Sequence, residues 1–148
     1  MKVILQRVNN ASVSIDNKVF NSIKKGFLLF VGIKDGDSEE DLDYLVRKIT
    51  NIRIFEDENG KTNLNLASVN GEILSISQFT LYANTKHGNR PSFIDAGDPK
   101  FASEMYDLFN EKLVKAGNTV KNGQFGADMQ VDLQNDGPFT IIFDTENK

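Results

Sequence analysis

Hydroxyl and amide side chains gather in one segment of the chain, Ser75-Ile76-Ser77-Gln78-Phe79-Thr80. The segment begins with the alternation of polar and apolar residues that is typical of a strand, but Ser77 and Gln78 are both polar, so the strand uses both faces or ends there. A strand end can present these side chains to a polar ligand. Its free backbone N–H groups can also stabilise an oxyanion, which needs no ionisable side chain. The alternative is that Ser77 and Thr80 are ordinary strand residues.

Composition excludes most other catalytic arrangements. The chain has no cysteine and a single histidine, His87, so it lacks a thiol nucleophile and the usual ligands of zinc. Because His87 lies between Lys86 and Gly88 in a polar loop, we expect it to face solvent rather than to act as a general base. Glycine-rich phosphate loops are absent. We expect no cofactor and no metal site, although carboxylates could hold magnesium.

The pair Gly137-Pro138 lies between two segments with strand character, Met129 to Leu133 and Phe139 to Phe143. Proline cannot donate a hydrogen bond to a sheet. One interpretation is therefore a hairpin turn in which Asp136-Gly137 supplies the special backbone angles and Pro138 stiffens the loop. The other is a cis Gly-Pro peptide bond that presents backbone carbonyl groups to a ligand. Only about 5–6% of such bonds are cis in folded proteins, so the local sequence does not decide between them.

Length and charge limit the organisation of the chain and its partners. With 148 residues, we expect one domain over residues 1–148 that buries its own core. The net charge of −4 disfavours nucleic-acid binding over the whole surface, so any RNA contact is local. The basic loop from Lys86 to Arg90 could make such a contact or be an ordinary solvated surface. The absence of cysteine, of a secretory leader and of a membrane span predicts a cytoplasmic protein.

The spacing of apolar residues predicts two helices and a large mixed sheet, which is an α/β or α+β fold. The first helix is expected from Ser38, which resembles a capping box together with Asp41, and the second after Asp98-Pro99. The expected strands are Lys2 to Val8, Ser12 to Ile15, Val19 to Ile23, Phe27 to Ile33, Asn51 to Phe55, Glu72 to Thr80 and the two segments that flank Gly137-Pro138.

Three stretches taken together resemble the D-aminoacyl-tRNA deacylase family. They are SQFTLYA at Ser77 to Ala83, NRPSF at Asn89 to Phe93, and FGADMQVDLQNDGPFT at Phe125 to Thr140; the opening MKVILQRVNNASVSID is similar as well. The resemblance implies an α/β fold in which two main helices cover a mixed, barrel-like β-sheet core. It also implies a homodimeric hydrolase without cofactor that cleaves the ester joining a D-amino acid, or glycine, to the 3′ end of tRNA.

The resemblance implies that Gly137 and Pro138 are a chiral gate that one subunit inserts into the active site of the other. Their rigid carbonyl oxygens would occupy the space that an L side chain needs, whereas a D side chain points away. Arg7 resembles the arginine that braces this element, a suitable task for a guanidinium with several donors. We further expect Lys86 and Arg90 to contact tRNA.

By the same resemblance, Ser77, Gln78, Phe79 and Thr80 form the floor of the pocket, and the Phe79 N–H is the oxyanion donor. Two mechanisms remain open for Thr80. Its hydroxyl attacks the ester as a nucleophile, or it is structural and the 2′-hydroxyl of the terminal adenosine assists a water molecule. The lack of a neighbouring base favours the second. A non-catalytic RNA-binding module and a small-molecule acyl hydrolase are the rival functions.

Overall fold

The computed structural model describes all residues from Met1 to Lys148. The strands are β1 (Lys2–Ile15), β2 (Lys18–Ile23), β3 (Gly26–Gly32), β4 (Phe55–Glu56), β5 (Thr62–Leu64), β6 (Glu72–Ser77), β7 (Thr119–Asn122) and β8 (Gln130–Asp144). The helices are α1 (Glu39–Asn51) and α2 (Pro99–Lys115), and short 3-10 turns occupy Ala67–Val69, Phe79–Tyr82 and Thr145–Asn147. Neither helix combines the length and the apolar character needed to cross a membrane.

Six strands form one mixed sheet in the order β2-β1-β3-β6-β7, with β8 added on β1. The long strand β1 pairs with β3 along its first half, with β2 along its second half, and with β8 along nearly its whole length. β6 runs parallel to both β3 and β7. Side chains then join the ends of the sheet, because Asn21 Nδ2 donates to the Asn122 carbonyl at 2.7 Å and Lys121 Nζ to the Ser22 carbonyl at 2.9 Å. The sheet is thus nearly closed, as the barrel-like expectation requires.

Both helices bury one apolar face on this sheet. Ser38 and Asp41 form the expected capping box of α1, and Asp98 caps α2 by accepting hydrogen bonds from the N–H groups of Lys100 and Phe101. Their buried residues are Leu42, Leu45, Val46 and Ile49 in α1, and Ala102, Met105, Tyr106, Phe109 and Leu113 in α2. These side chains share one core with strand residues such as Leu5 and Phe27. The expected class, an α/β fold with two main helices, is confirmed.

Several strand boundaries differ from the expectation. The two strands expected before Asp16 are one continuous strand, β1. The strand expected over Asn51 to Phe55 is wrong, because Asn51 ends α1 and only Phe55–Glu56 pairs, with β5. β6 ends at Ser77 rather than at Thr80, since its parallel partner β3 stops at Gly32 and the chain turns away.

The hairpin interpretation of Gly137-Pro138 is wrong. Both flanking segments belong to the single strand β8, and both pair with β1 instead of with each other. The register jumps between Gln6, which faces Thr140, and Val8, which faces Asn135, so four residues of β8 lie opposite the one residue Arg7. Such a bulge on an edge strand accepts a proline because no ladder hydrogen bond is required from it.

Candidate active site

A cavity of about 860 Å³ opens where the end of β6 meets the start of α2. Three stretches supply most of its lining, and most of the lining side chains are apolar. They are Ser77, Gln78 and Phe79 at the end of β6, the segment that leads into α2, and Phe125 to Met129 before β8. The structure therefore brings three of the four expected pocket residues to one cavity wall.

The turn after β6 leaves backbone donors free. Its first hydrogen bond runs from the Leu81 N–H to the Gln78 carbonyl at 3.3 Å. The N–H groups of Phe79 and Thr80 precede this bond, so neither has an acceptor within the turn. Phe79 belongs to the cavity lining, and a free N–H group at a cavity wall is the kind of donor that can stabilise negative charge on a ligand oxygen.

Thr80 is the one expected pocket residue that does not line the cavity. Its hydroxyl oxygen accepts a hydrogen bond from Gln78 Nε2 at 2.5 Å. No lysine or histidine side chain is hydrogen-bonded to it, and His87 lies exposed in the following loop. A threonine nucleophile needs a neighbouring base to remove its proton. This geometry thus offers Thr80 a structural contact with Gln78 and no activation.

Exposed aromatic and aliphatic side chains rim the cavity. Phe79 is 58% exposed, and its ring lies 5.2 Å from that of Phe93 in an edge-to-face arrangement with an interplanar angle of 71°. Ile94 is 86% exposed and lines the same cavity. Apolar side chains left open at a cavity mouth are typical of a surface that meets a ligand.

The loop that carries Lys86 and Arg90 ends beside this rim. Asn84 and Ser92 close it by exchanging backbone hydrogen bonds of 2.8 and 2.9 Å, and the Lys86 N–H donates to Asn84 Oδ1 at 3.0 Å. Lys86 and Arg90 are both exposed. The next residue after the closing pair is Phe93, which lines the cavity. The two cations are therefore tethered close to the mouth, although neither enters the cavity.

The charged residues of the cavity lining are all acidic, namely Asp35, Asp98 and Asp128. Asp35 Oδ1 accepts the Asp98 N–H at 2.9 Å, which fixes the start of α2. Without a lysine or an arginine, the wall suits a ligand with a positive charge, such as the ammonium group of an amino-acid ester, better than a phosphate. No three residues among histidine, cysteine, aspartate and glutamate are placed to hold a metal ion.

Arg7 occupies a second, separate site. Only 7% of this residue is exposed. Its Nε donates to the Asp136 carbonyl at 2.9 Å and lies 3.5 Å from the Asp136 carboxylate, and its Nη1 donates to the Ile54 carbonyl at 2.5 Å. The guanidinium carbon stands 4.8 Å from the centre of the Phe139 ring. Arg7 thus holds the bulge of β8 from both sides of Gly137-Pro138.

Gly137 has little freedom to change. Its φ of +140° favours glycine, and an added Cβ would lie 3.2 Å from Arg7 Nη2 and 3.1 Å from the Phe139 nitrogen. The peptide bond to Pro138 is cis. Gly137 and Pro138 are both exposed, and neither they nor Arg7 line the cavity. A single chain therefore keeps the cavity and the bulge apart.

Sequence reasoning does not identify two parts of the cavity wall as site residues. These are the segment Ile94 to Pro99 and the segment Phe125 to Met129. Both lie inside or beside stretches that carry the family resemblance, but most of their side chains are apolar or small, and no short motif marks Asp98 or Asp128 as a site residue. Only the packing of α2 against β6 brings them to the cavity.

Comparisons with known proteins add an independent observation. The family model described as D-Tyr-tRNA(Tyr) deacylase matches residues 4–144. A protein of Limosilactobacillus reuteri strain DSM 20016 named D-aminoacyl-tRNA deacylase is 59% identical over 144 residues, which are 97% of this chain and 99% of that protein. A Lactobacillus gasseri protein of the same name is 58% identical over 144 residues, with the same shares of 97% and 99%.

Two solved structures are similar along nearly the whole chain. One is named c-Myc DNA Unwinding Element Binding Protein; its TM-score is 0.92 at 40% identity, covering 98% of this chain and 99% of that chain. The other is described as a probable eukaryotic D-amino acid tRNA deacylase; its TM-score is 0.82 at 20% identity, covering 96% and 97% of the two chains. At that identity the second likeness shows the fold alone.

Proposed function

The chain belongs to the D-Tyr-tRNA(Tyr) deacylase family, and from that premise we propose that it hydrolyses the ester bond of D-aminoacyl-tRNA and releases free tRNA and the D-amino acid. Glycine mischarged on tRNA-Ala is a second substrate in this proposal. The observation that carries it is the Phe79 N–H, free within its turn, at the wall of a cavity that holds no basic side chain. That arrangement can stabilise an oxyanion, and it places no second positive charge beside the ammonium group of the aminoacyl ester.

In the proposed reaction, the oxygen of a water molecule adds to the carbonyl carbon of the ester. The carbonyl oxygen takes up negative charge, and the Phe79 N–H donates to it. When the intermediate collapses, the bond to the ribose 3′-oxygen breaks and this oxygen receives a proton. The attacking water loses a proton to the neighbouring 2′-hydroxyl of the terminal adenosine, which passes its own proton to the 3′-oxygen, so the enzyme needs no histidine. The protein contributes position and electrostatics rather than a base.

Thr80 is structural in this mechanism. Its hydroxyl accepts the hydrogen bond from Gln78 Nε2 and lies outside the cavity lining. The contact fixes the side chain of Gln78, which does line the cavity. Ser77 completes this wall with a small side chain that leaves room for the ester.

Rejection of L substrates is assigned to Gly137 and Pro138 of a second copy of the chain. Both residues are exposed and lie outside the cavity of their own chain, while the buried Arg7 holds the bulge rigid. Backbone carbonyl groups held this way would fill the space that an L side chain needs and leave the D side chain free. Selection by steric exclusion requires such rigidity, because a mobile segment would yield to the wrong substrate.

A symmetric dimer is the simplest assembly that meets this requirement, since two-fold pairing completes both cavities at once. The outer edge of β8 supports it. β8 pairs only with β1, and it exposes Leu133 to 37% and Ile142 to 71%. An unpaired edge with apolar side chains is the kind of surface that a second subunit covers.

We also assign Lys86 and Arg90 to the acceptor end of tRNA. Their loop leads directly into Phe93 at the cavity mouth, so a bound ester would bring the backbone phosphates of the tRNA near these two cations. Phosphate contacts position a nucleic acid without reading its sequence.

One assay tests the proposed activity against its rivals. The purified chain is incubated with matched D-tyrosyl- and L-tyrosyl-tRNA without added metal, and loss of the ester is followed over time. Rapid loss of the D ester with survival of the L ester is expected. Equal rates would indicate an unselective acyl hydrolase, and no loss of either ester would indicate a binding module; either result would refute chiral hydrolysis.

A further inference from the structure

Hydrogen bonds to one backbone carbonyl, that of Ser75, connect the three stretches that supply most of the cavity lining. The Tyr106 hydroxyl donates to this oxygen at 2.7 Å, and the Gly123 N–H donates to it at 3.0 Å. Ser75 lies in β6 two residues before Ser77, and Tyr106 lies in α2, whose first turn lines the cavity. Gly123 begins the segment that reaches Phe125 to Met129. A single acceptor therefore joins all three.

The Tyr106 contact is buried. Ser75 is 0% exposed and Tyr106 is 1% exposed. Burial raises the pKa of Tyr106, so its hydroxyl stays protonated and remains a donor at neutral pH. The Tyr106 ring also packs against Phe125, with the ring centres 6.0 Å apart. Because Phe125 lines the cavity, one side chain both anchors the wall and supports it from behind.

The wall near Gly123 is tightly packed. A Cβ on Gly123 would lie 2.6 Å from Met129 Sδ and 3.1 Å from Ile76 Cδ1, and both of those residues line the cavity. The turn that carries the Phe79 N–H is anchored independently, because the Gln78 N–H donates to the Val31 carbonyl at 2.8 Å. The wall and the oxyanion donor thus have separate supports.

We propose that Tyr106 is a positioning residue that sets the width of the cavity through the Ser75 carbonyl. The inference rests on the proposed function, because it takes the wall from Phe125 to Met129 as the surface that contacts the aminoacyl group. That group touches the wall before and during the reaction. Loosening the wall therefore weakens substrate binding and transition-state binding alike, and leaves the chemical step on the separately anchored turn unchanged.

Two matched variants test the inference. Tyr106→Phe removes the hydroxyl that donates to Ser75, whereas Tyr44→Phe removes a hydroxyl on α1, outside the cavity lining. For D-tyrosyl-tRNA we expect Tyr106→Phe to raise KM about five- to tenfold with kcat within about twofold, and Tyr44→Phe to change neither. An unchanged KM in Tyr106→Phe, or a fall in kcat at constant KM, would overturn the inference.

Amide hydrogen exchange separates this inference from the proposed function. The Gly123 N–H shares the Ser75 carbonyl with Tyr106, so its exchange should become faster in Tyr106→Phe and stay as in the wild type in Tyr44→Phe. A wild-type chain that hydrolyses no aminoacyl-tRNA would refute the proposed function while this measurement still tests the anchor. Equal Gly123 exchange in Tyr106→Phe and the wild type would refute the anchor whatever the activity.

Discussion

The turn at Phe79–Tyr82 and the bulge at Gly137-Pro138 use the backbone in opposite ways. The turn begins with N–H groups that have no acceptor within it, at the wall of the cavity. At the bulge, Gly137 and Pro138 are exposed and lie outside the lining of the cavity, and the buried Arg7 holds them through the Asp136 carbonyl. In the proposed function, the turn offers donors to a developing charge and the bulge offers a rigid obstacle. The turn and the bulge lie in different parts of the chain and are held by different hydrogen bonds. We therefore expect that separate substitutions can lower the hydrolysis rate and the selectivity for D over L substrates.

The supports also differ in kind. The turn depends on backbone hydrogen bonds such as that from the Leu81 N–H to the Gln78 carbonyl. The bulge depends on a charged side chain that donates to two carbonyl groups, those of Asp136 and Ile54. Hydrogen bonds to charged groups contribute about 1.5–3 kcal/mol each, against about 0.5–1.5 kcal/mol for neutral ones. The hydrogen bonds that hold the element assigned to exclusion therefore belong to the stronger class.

The largest effect is expected from Phe79→Pro, which removes the N–H donor. Proline suits the first residue of a helical turn, and Gln78 before it has a ψ of 84°, outside the helical region that a following proline disfavours, so the turn itself should survive. We expect kcat for D-tyrosyl-tRNA to fall about 10²- to 10³-fold. Phe79→Ala is the control, because it removes the exposed ring but keeps the N–H, and its kcat should stay within about threefold. Equal losses in the two variants would exclude the donor role.

Selectivity should respond to Gly137→Ala. The new Cβ would strain a φ of +140° and press on Arg7 and Phe139, which displaces the bulge. We expect the ratio of D to L hydrolysis rates to fall at least about tenfold, with D hydrolysis within about threefold of the wild type. Gly60→Ala controls for backbone strain, since Gly60 has a φ of +73° with no atom within 4 Å of an added Cβ. A selectivity loss in Gly60→Ala as well would contradict a specific gate.

A smaller effect is expected at Thr80, which is the nucleophile in one of the two mechanisms and a structural residue in the other. Thr80→Ala loses the contact with Gln78 but no nucleophile, so kcat should fall less than about tenfold. Thr80→Ser keeps the hydroxyl and should be close to the wild type. A loss of about 10⁴-fold in Thr80→Ala, together with an acyl-enzyme detected by mass spectrometry, would make Thr80 the nucleophile.

The smallest effect is expected at the basic loop. Lys86→Ala should reduce the slope of log affinity for tRNA against log salt concentration by about 0.7–0.9, as the loss of one phosphate contact does. Lys115→Ala is the control, because Lys115 is exposed at the end of α2 opposite the cavity. Identical slopes in both variants and the wild type would leave the loop without a role in binding.

Local patterns in the sequence predict the structural features that depend only on residues close together in the chain. The capping box at Ser38 and the helix start at Asp98-Pro99 are both visible as short motifs, and the structure has a helix start at each. The family resemblance adds the expectation that Ser77, Gln78 and Phe79 share a pocket, which no local pattern contains.

Two features of the structure, the bulge of β8 and one wall of the cavity, depend on contacts between residues that are far apart in the sequence. The bulge of β8 exists because β1, more than a hundred residues earlier, pairs on both sides of Gly137-Pro138, so a local hairpin was the natural but wrong interpretation. The segment Phe125 to Met129 carries no recognisable catalytic motif and lies at the cavity through tertiary contacts, among them the hydrogen bond from the Gly123 N–H to the Ser75 carbonyl. Both features are consequences of tertiary contacts.

Mixed dimers provide the most direct test of the division between catalysis and selection. Chains with Gly137→Ala are combined with chains with Phe79→Pro, and hydrolysis of matched D- and L-tyrosyl-tRNA by the isolated heterodimer is compared with that of each homodimer. If the gate acts across subunits, the only cavity of the heterodimer that keeps its N–H donor faces the intact Gly137 of its partner. Restored rejection of the L ester, with about half the wild-type rate on the D ester, is the predicted result. A ratio of L to D hydrolysis rates as high as that of the Gly137→Ala homodimer would show that the gate does not act across subunits.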